Sequence, residues 1–155
     1  METWPEGARY EGEYYLSKKQ GRGKYTWVDG STYEGDWLDN KINGIGTYLW
    51  RDGRQYYGQW KNNDMHGTGI YCYADGIQYW GQYADDKKEG YGLYLWVDGR
   101  EYAGYWHNGK QHGLGIFTDP KKGTKRHGLW EFGKRIKWYE DSDVALINQR
   151  KFDYL

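Results

Sequence analysis

The chain is poor in the residues that most often staple or break a fold: among 155 residues it has one cysteine, two prolines, two methionines and three phenylalanines. A lone Cys72 can form neither an intramolecular disulfide framework nor a cysteine-based zinc site. With so little proline, the 24 glycines do not amount to the Pro/Gly-rich composition of a disordered segment. No long apolar run is present, and the aliphatic stretch Val144–Ile147 is far too short to span a bilayer. The opening METWPEGARYEGEYY lacks the apolar core of a secretory leader, so a soluble, intracellular, cytoplasmic chain is expected. Neither sign of charge is in excess, 22 basic against 22 acidic residues, which predicts no global attraction to nucleic acid or to an acidic membrane.

Glycine and large aromatics dominate instead, with 10 tryptophans and 18 tyrosines, although mean hydropathy is −1.14. Rings at this density argue against disorder, because each can bury a large apolar area. They are also periodic. Tyr-x-Gly-x-(Trp/Tyr) begins at Tyr10, Tyr33, Tyr56, Tyr79 and Tyr102, an unbroken period of 23 residues. Eleven positions on stands a Gly-x-Gly: Gly21/Gly23, Gly44/Gly46, Gly67/Gly69, Gly90/Gly92 and Gly113/Gly115. In the first four copies an aromatic pair and Asp-Gly follow, as in Tyr48, Trp50, Asp52 and Gly53. The fifth decays after Phe117 into TDPKKGTK, and a truncated sixth copy follows with Arg126 in place of the tyrosine and Gly128, Trp130 and Gly133 in register. The domain plan is therefore a lead-in over 1–9, a repeat array over 10–138 whose last, partial copy starts at 126, and a C-terminal cap or tail over 139–155.

Period-two alternation in YEGDW and GTYLW is the signature of strands. Each copy then reads as a β-hairpin, with Asp-Gly as the tight turn to the next copy and looser segments such as LDNKIN making the turn inside it. Two strands per copy at about 4.8 Å give a ribbon on the order of 50–60 Å long. After Trp138 the pattern stops; Asp141 or Ser142 can cap a short helix bearing Val144, Ile147 and Lys151/Phe152 on one face.

YEGEYYLSKKQGRGKYTWVDG, YEGDWLDNKINGIGTYLWRDG and YAGYWHNGKQHGLGIF resemble MORN (membrane occupation and recognition nexus) repeats, and the resemblance spans residues 10–134. One departure is the mid-repeat glycine, kept at Gly109 and Gly133 but replaced by Ser17, Asn40, Asn63 and Asp86, all compatible with a turn. The resemblance implies an all-β fold: a single-layer, curled antiparallel sheet with a groove. Members such as junctophilins, radial-spoke proteins and plant phosphatidylinositol-phosphate kinases carry these repeats as binding or scaffolding modules, not as catalysts.

Positions 1, 3 and 5 of a strand share a face, so Tyr, Gly and Trp lie together, joined by the glycine pairs and aromatic pairs of the second strand. The glycines leave seats for rings, which stand in for a second layer. The expected partner-binding groove is lined by Tyr33, Trp37, Tyr48, Trp50, Tyr56, Trp60, Tyr71, Tyr73, Tyr79, Tyr94, Trp96, Tyr102 and Trp106. In-between positions of second strands carry Leu49, Ile70, Leu93, Leu95 and Ile116 (with Ile45, Cys72, Val97 and Leu114), a candidate second apolar contact face. His66 and His112 alternate with Gln20, Asn43 and Glu89 at one repeat position, which marks a turn residue and not a metal ligand or base. The Gly-x-Gly pairs lie between strands and precede no helix, so a dinucleotide site fails on context.

Neither catalytic pair nor cofactor nor metal site is expected. The leading function is a non-catalytic scaffold gripping a helix or extended peptide of a partner protein, in a cytoskeletal or ciliary setting, with self-association open. The alternative is a phosphoinositide or membrane-surface module using loop cations such as Lys18, Lys41, Lys61, Lys87 and Lys110. Carbohydrate or choline binding by aromatic hairpins is a third class, disfavoured by the missing leader.

Overall fold

The computed structural model describes residues 1–145: one open sheet of 13 antiparallel strands in strict chain order, then helical backbone over 141–145. The strands are β1 (Glu2–Thr3), β2 (Arg9–Tyr15), β3 (Lys18–Thr26), β4 (Thr32–Leu38), β5 (Lys41–Leu49), β6 (Gln55–Lys61), β7 (Asp64–Cys72), β8 (Gln78–Ala84), β9 (Lys87–Leu95), β10 (Glu101–His107), β11 (Lys110–Asp119), β12 (Thr124–Glu131) and β13 (Lys134–Trp138). Each repeat supplies a first strand, β2 to β12 by even numbers, and a second strand, β3 to β13 by odd numbers. The anticipated contribution of Ile147, Lys151 and Phe152 to the terminal helix lies outside the described residues.

The two kinds of turn exchange the roles expected of them. The segment inside each repeat, expected to be loose, is the tight one. Leu16–Ser17, Asp39–Asn40, Asn62–Asn63, Asp85–Asp86, Asn108–Gly109 and Phe132–Gly133 all hold positive φ, between 47° and 86°, as a two-residue turn with left-handed backbone at both positions requires. The Asp-Gly connection is the wider loop. Gly30 N–H donates to Trp27 O (3.0 Å), Trp27 N–H donates to Ser31 O (2.9 Å), and Gly30 alone takes a positive φ, 93°. This is a three-residue hairpin loop closed by a glycine bulge. The aspartate is there as an acceptor: Asp29 Oδ1 takes Ser31 N–H, and Asp52, Asp75 and Asp98 do the same one repeat apart.

The array also starts earlier than Tyr10. Trp4 N–H donates to Ala8 O and Gly7 N–H to Trp4 O, the same loop, so Trp4-Pro5-Glu6-Gly7 is in register with Trp27-Val28-Asp29-Gly30. The lead-in is thus the tail of a repeat, visible in the 23-residue spacing of Trp4, Trp27 and Trp50.

The Gly-x-Gly pair divides its labour. The second glycine faces a glycine across the ladder, Gly35↔Gly46 and Gly58↔Gly69, and there the tyrosine ring lies. A Cβ on Gly46 would stand 2.2 Å from Tyr33 Oη. The first glycine is no ring seat. Gly44 holds φ +104° at a register shift between Gly35 and Trp37, a bulge that only a residue without Cβ enters cheaply. Its space is taken by position four of the repeat, which caps the amide the bulge frees. Asp36 Oδ2 accepts from Ile45 N–H, and Glu13, Gln59 and Gln82 do likewise for Arg22, Thr68 and Tyr91.

Candidate functional site: two faces of a ring-bearing sheet

A sheet of one layer must build its core on one of its own faces, and here the core is a zigzag of rings. Tyr10, Tyr33, Tyr56, Tyr79 and Tyr102 are fully buried. Each donates its hydroxyl to the backbone carbonyl three residues on, at 2.8–3.0 Å, and burial pushes each phenol up from its ordinary pKa. Between them stand Trp37, Trp60, Tyr83, Trp106 and Trp130. Tyr33 meets Trp37 at 5.3 Å and Trp60 at 5.6 Å, both edge-to-face, and Tyr102 meets Trp106 and Trp130 the same way. Trp37, Trp60 and Trp106 also donate Nε1–H to Gly23 O, Gly46 O and Gly92 O of the preceding repeat. Each tryptophan therefore welds two hairpins by ring contact and hydrogen bond together.

The anticipated groove residues separate into two sets. Tyr33, Tyr56, Tyr79 and Tyr102 are fully buried within the chain, and Trp37, Trp60, Tyr71 and Trp106 nearly so. The half-buried remainder, Tyr48, Trp50, Tyr73, Tyr94 and Trp96, presents ring surface to the outside. These rings continue into a second ladder that the sequence reading did not join up. From Trp4 it passes through Tyr25, Trp27, Tyr48, Trp50, Tyr71, Tyr73, Tyr94, Trp96 and Phe117 to Trp138, with successive centroids 4.4–6.4 Å apart.

Position ten of each repeat sits among these rings and varies: Lys19, Ile42, Met65, Lys88, Gln111 and Arg135. Ile42 is buried outright, and Lys88 is half-buried with four rings around its ammonium. Its Nζ lies 5.3 Å from the centroids of Tyr73 and Tyr79, 5.6 Å from Trp106 and 6.0 Å from Tyr94, and burial holds its pKa below the usual lysine range.

On the opposite face Ile70, Leu93, Leu95 and Ile116 are half-buried and Leu49 is exposed, as the alternation required. Rings missed in the sequence reading join them: Tyr57, Trp80, Tyr91 and Tyr105 are 44–53% exposed. Directly paired neighbours Tyr57, Ile70, Trp80, Leu93, Ala103 and Ile116 make an apolar row across six strands. Towards the N-terminus the same row turns charged, through Thr47 to Glu34, Lys24 and Glu11. A depression of about 380 Å³ lies between Tyr57 and Trp80 over Gly58, Gly69 and Gly81. The signal was available, since positions two and four of a first strand face away from the tyrosine.

In three copies the histidine position is a strap between hairpins, while His66 Nδ1 is buried without a hydrogen bond. Phe132 N–H donates to His112 Nδ1 (3.1 Å), Asn43 bonds Asn62, and Glu89 takes both Asn108 N–H (2.9 Å) and His107 Nδ1 (2.7 Å). The mid-repeat substitutions serve the same purpose. Asn40, Asn63 and Asp86 accept, through Oδ1, the N–H of Lys19, Ile42 and Met65 in the preceding hairpin at 2.7–2.8 Å. Among the described residues no group of three or more His, Cys, Asp or Glu converges as a metal site would, and no helix is long and apolar enough to cross a membrane.

No match is found among curated proteins. Repeats of the MORN type serve in interaction with proteins and membranes and are typically non-catalytic modules. The family model for the MORN repeat matches residues 10–32, 33–53, 56–78, 79–99 and 102–124, in the same register as the hairpins, and the chain belongs to the MORN-repeat family.

Proposed function

We propose that the protein is a non-catalytic interaction scaffold that holds a linear segment of a partner protein, helical or extended, on its ring-bearing face. One observation carries this reading: a continuous ladder of rings, half-buried except for Tyr71, runs the length of one face of a single sheet, with no second sheet over it and only side chains such as Arg54 and Arg100 stacked on its rings. Trp and Tyr contribute large contact area at little conformational cost, and they dominate interaction hot spots. In this reading the protein is an intracellular adaptor at cytoskeletal or membrane-bound assemblies.

Affinity capture with the full chain tests it, compared with a ring-face variant (Trp50→Ser/Trp96→Ser) and a back-face variant (Leu49→Lys). Loss of the captured partner in the first and retention in the second is expected; retention in the first refutes the reading. The back-face row is a second surface open to a partner or another copy, and light scattering of Leu95→Lys beside the wild type reads self-association. Lipid binding through turn lysines has weaker support, because acids share the turn tips: Lys18 lies 4.0 Å from Asp39, and Asp85 and Asp86 precede Lys87. Vesicle sedimentation weakening with salt would be its mark.

A further inference from the structure

The ring face is not electrostatically uniform, and its C-terminal half is basic. Two depressions adjoin there. One, about 310 Å³, is lined by Lys88, Tyr94, Trp96, Trp106, Lys110 and Gln111, with Gly109 and Gly133 at its edge. The other, about 260 Å³, is lined by Trp96, Gln111, Phe117, Trp130, Arg135 and Trp138. They share Trp96 and Gln111, so they form one trough; three cations line it and no carboxylate does. The N-terminal depression differs, since Asp29 and Asp52 line it together with Arg51 and Arg54.

The trough's cations are also unmatched. Among the described residues Lys88, Lys110 and Arg135 form no ion pair, and neither does Arg126, which lies over the trough's Trp138. By contrast Arg54 and Arg100, which stack over Trp50 and Trp96, are held by Asp52 at 2.7 Å and Asp98 at 2.8 Å. Arg126 and Arg135 both lie over the Trp138 ring, at 4.3 and 4.4 Å, so two like charges share one ring. Lys88 donates to Tyr73 Oη and is otherwise surrounded by ring faces. Nothing in the repeat demands a cation at its position, since Ile42 and Met65 fill the equivalent places in the second and third repeats. A desolvated ammonium without a carboxylate is costly and gains most from meeting one.

We infer that the C-terminal half of the ring face selects an acidic segment of a partner protein, one carboxylate meeting Lys88, a second meeting Arg126 and Arg135, and apolar side chains between them resting on Trp96, Phe117 and Trp130. The inference rests on the interaction reading above and adds the partner's chemistry to it. Lys88 on β9 and Arg135 on β13 are four strand steps apart, roughly 19 Å at about 4.8 Å per step. An extended occupant at about 3.3 Å per residue then carries its two carboxylates about six residues apart.

The test is display of random 16-residue peptides against the full chain, with anisotropy titration of the enriched peptides and of their Glu→Gln and Asp→Asn forms. The protein variants are Trp96→Ala and the double variant Lys88→Met/Arg135→Gln. Met65 and Gln111 already occupy the equivalent positions, so the double variant is expected to fold, and near-ultraviolet circular dichroism of the ring ladder verifies this. Expected are an enriched pool with an Asp/Glu excess, about tenfold or greater weakening on amidation, and loss of that acid–amide difference in the double variant. Enriched peptides without acidic excess, or equal affinity of acid and amide forms, overturn the acidic assignment while leaving the interaction reading standing. No enrichment over Trp96→Ala overturns both. Sedimentation with vesicles containing phosphatidylserine, lost in the double variant, gives the cations to a lipid surface and also overturns the assignment.

Discussion

Replacing Gly46 by alanine is the sharpest test of how this sheet is built without a second layer. The added Cβ would lie 2.2 Å from Tyr33 Oη, 2.4 Å from Cζ and 2.6 Å from Cε2. These atoms belong to a fully buried ring whose hydroxyl is tied to Asp36 O at 3.0 Å and whose edges meet Trp37 and Trp60. The ring cannot swing aside cheaply. Overpacking a filled site costs about 1–3 kcal/mol, and a hydrogen bond lost from a displaced hydroxyl about 1 kcal/mol more. Alanine returns about 0.5 kcal/mol by restricting the unfolded chain, which leaves a net loss of about 1.5–3.5 kcal/mol. For a chain of this size that lowers Tm by roughly 3–14 °C.

Gly30→Ala is the control: nothing lies within 4 Å of its Cβ, and its φ of 93° makes the cost conformational, about 1–2 kcal/mol. Urea unfolding followed by near-ultraviolet circular dichroism measures both, and each is repeated in a Tyr33→Leu background. If the glycine is a seat for the ring, most of the Gly46→Ala penalty vanishes once Tyr33 is shortened, while the Gly30→Ala penalty is unchanged. An equal Gly46→Ala penalty in both backgrounds would refute the seat and leave only strand propensity.

Three further outcomes are expected. Trp60→Phe keeps a ring against Tyr56 but loses the Nε1–H bond to Gly46 O, so urea titration shows about 1 kcal/mol of destabilisation. Asn63→Gly preserves the left-handed turn at φ 72° and removes only the acceptor for Ile42 N–H; Asn63→Ala adds about 1–2 kcal/mol of backbone strain, so alanine must be the worse variant. Glu89 is held below the ordinary glutamate pKa, first by Asn108 N–H and then by His107. A depressed carboxylate pKa gives stability that is present at neutral pH and lost as pH falls through the folded value. Glu89→Gln should therefore flatten the acid limb of a Tm-against-pH curve, and an unchanged limb would show that the strap contributes nothing.

Sequence and structure divide cleanly at the level of the hairpin. The 23-residue period, the two strands per copy and the ring-bearing face are legible because strand side chains alternate strictly and the Tyr-x-Gly-x-Trp spacing obeys that alternation. What each glycine is for is not legible. Gly44 and Gly46 look alike in a pattern, yet one is a bulge and the other faces Gly35 under the Tyr33 ring, and only the pairing register separates them. The turns were read the wrong way round for a related reason: Asp-Gly has strong local meaning, but Asp39–Asn40 takes a left-handed pair of conformations that the flanking register of β4 and β5 imposes.

The candidate surface shows the same division. By itself the sequence determined that the repeated Tyr and Trp would crowd one face and that Leu49, Ile70, Leu93, Leu95 and Ile116 would lie on the other, since both follow from period two. The tertiary structure decided which rings remain available: Tyr33 is sealed by Trp60 and Tyr56 by Tyr83 of the next repeat, whereas Tyr48 and Trp96 stay half-open. It also decided that Lys88, one of two lysines in the charged run Asp85–Glu89, folds in among four rings while its neighbour Lys87 remains exposed. Adjacent residues in a strand point to opposite faces, and part of what they meet there, as Lys88 meets Tyr73 and Trp106, is supplied by neighbouring hairpins whose lateral contacts form only on stacking.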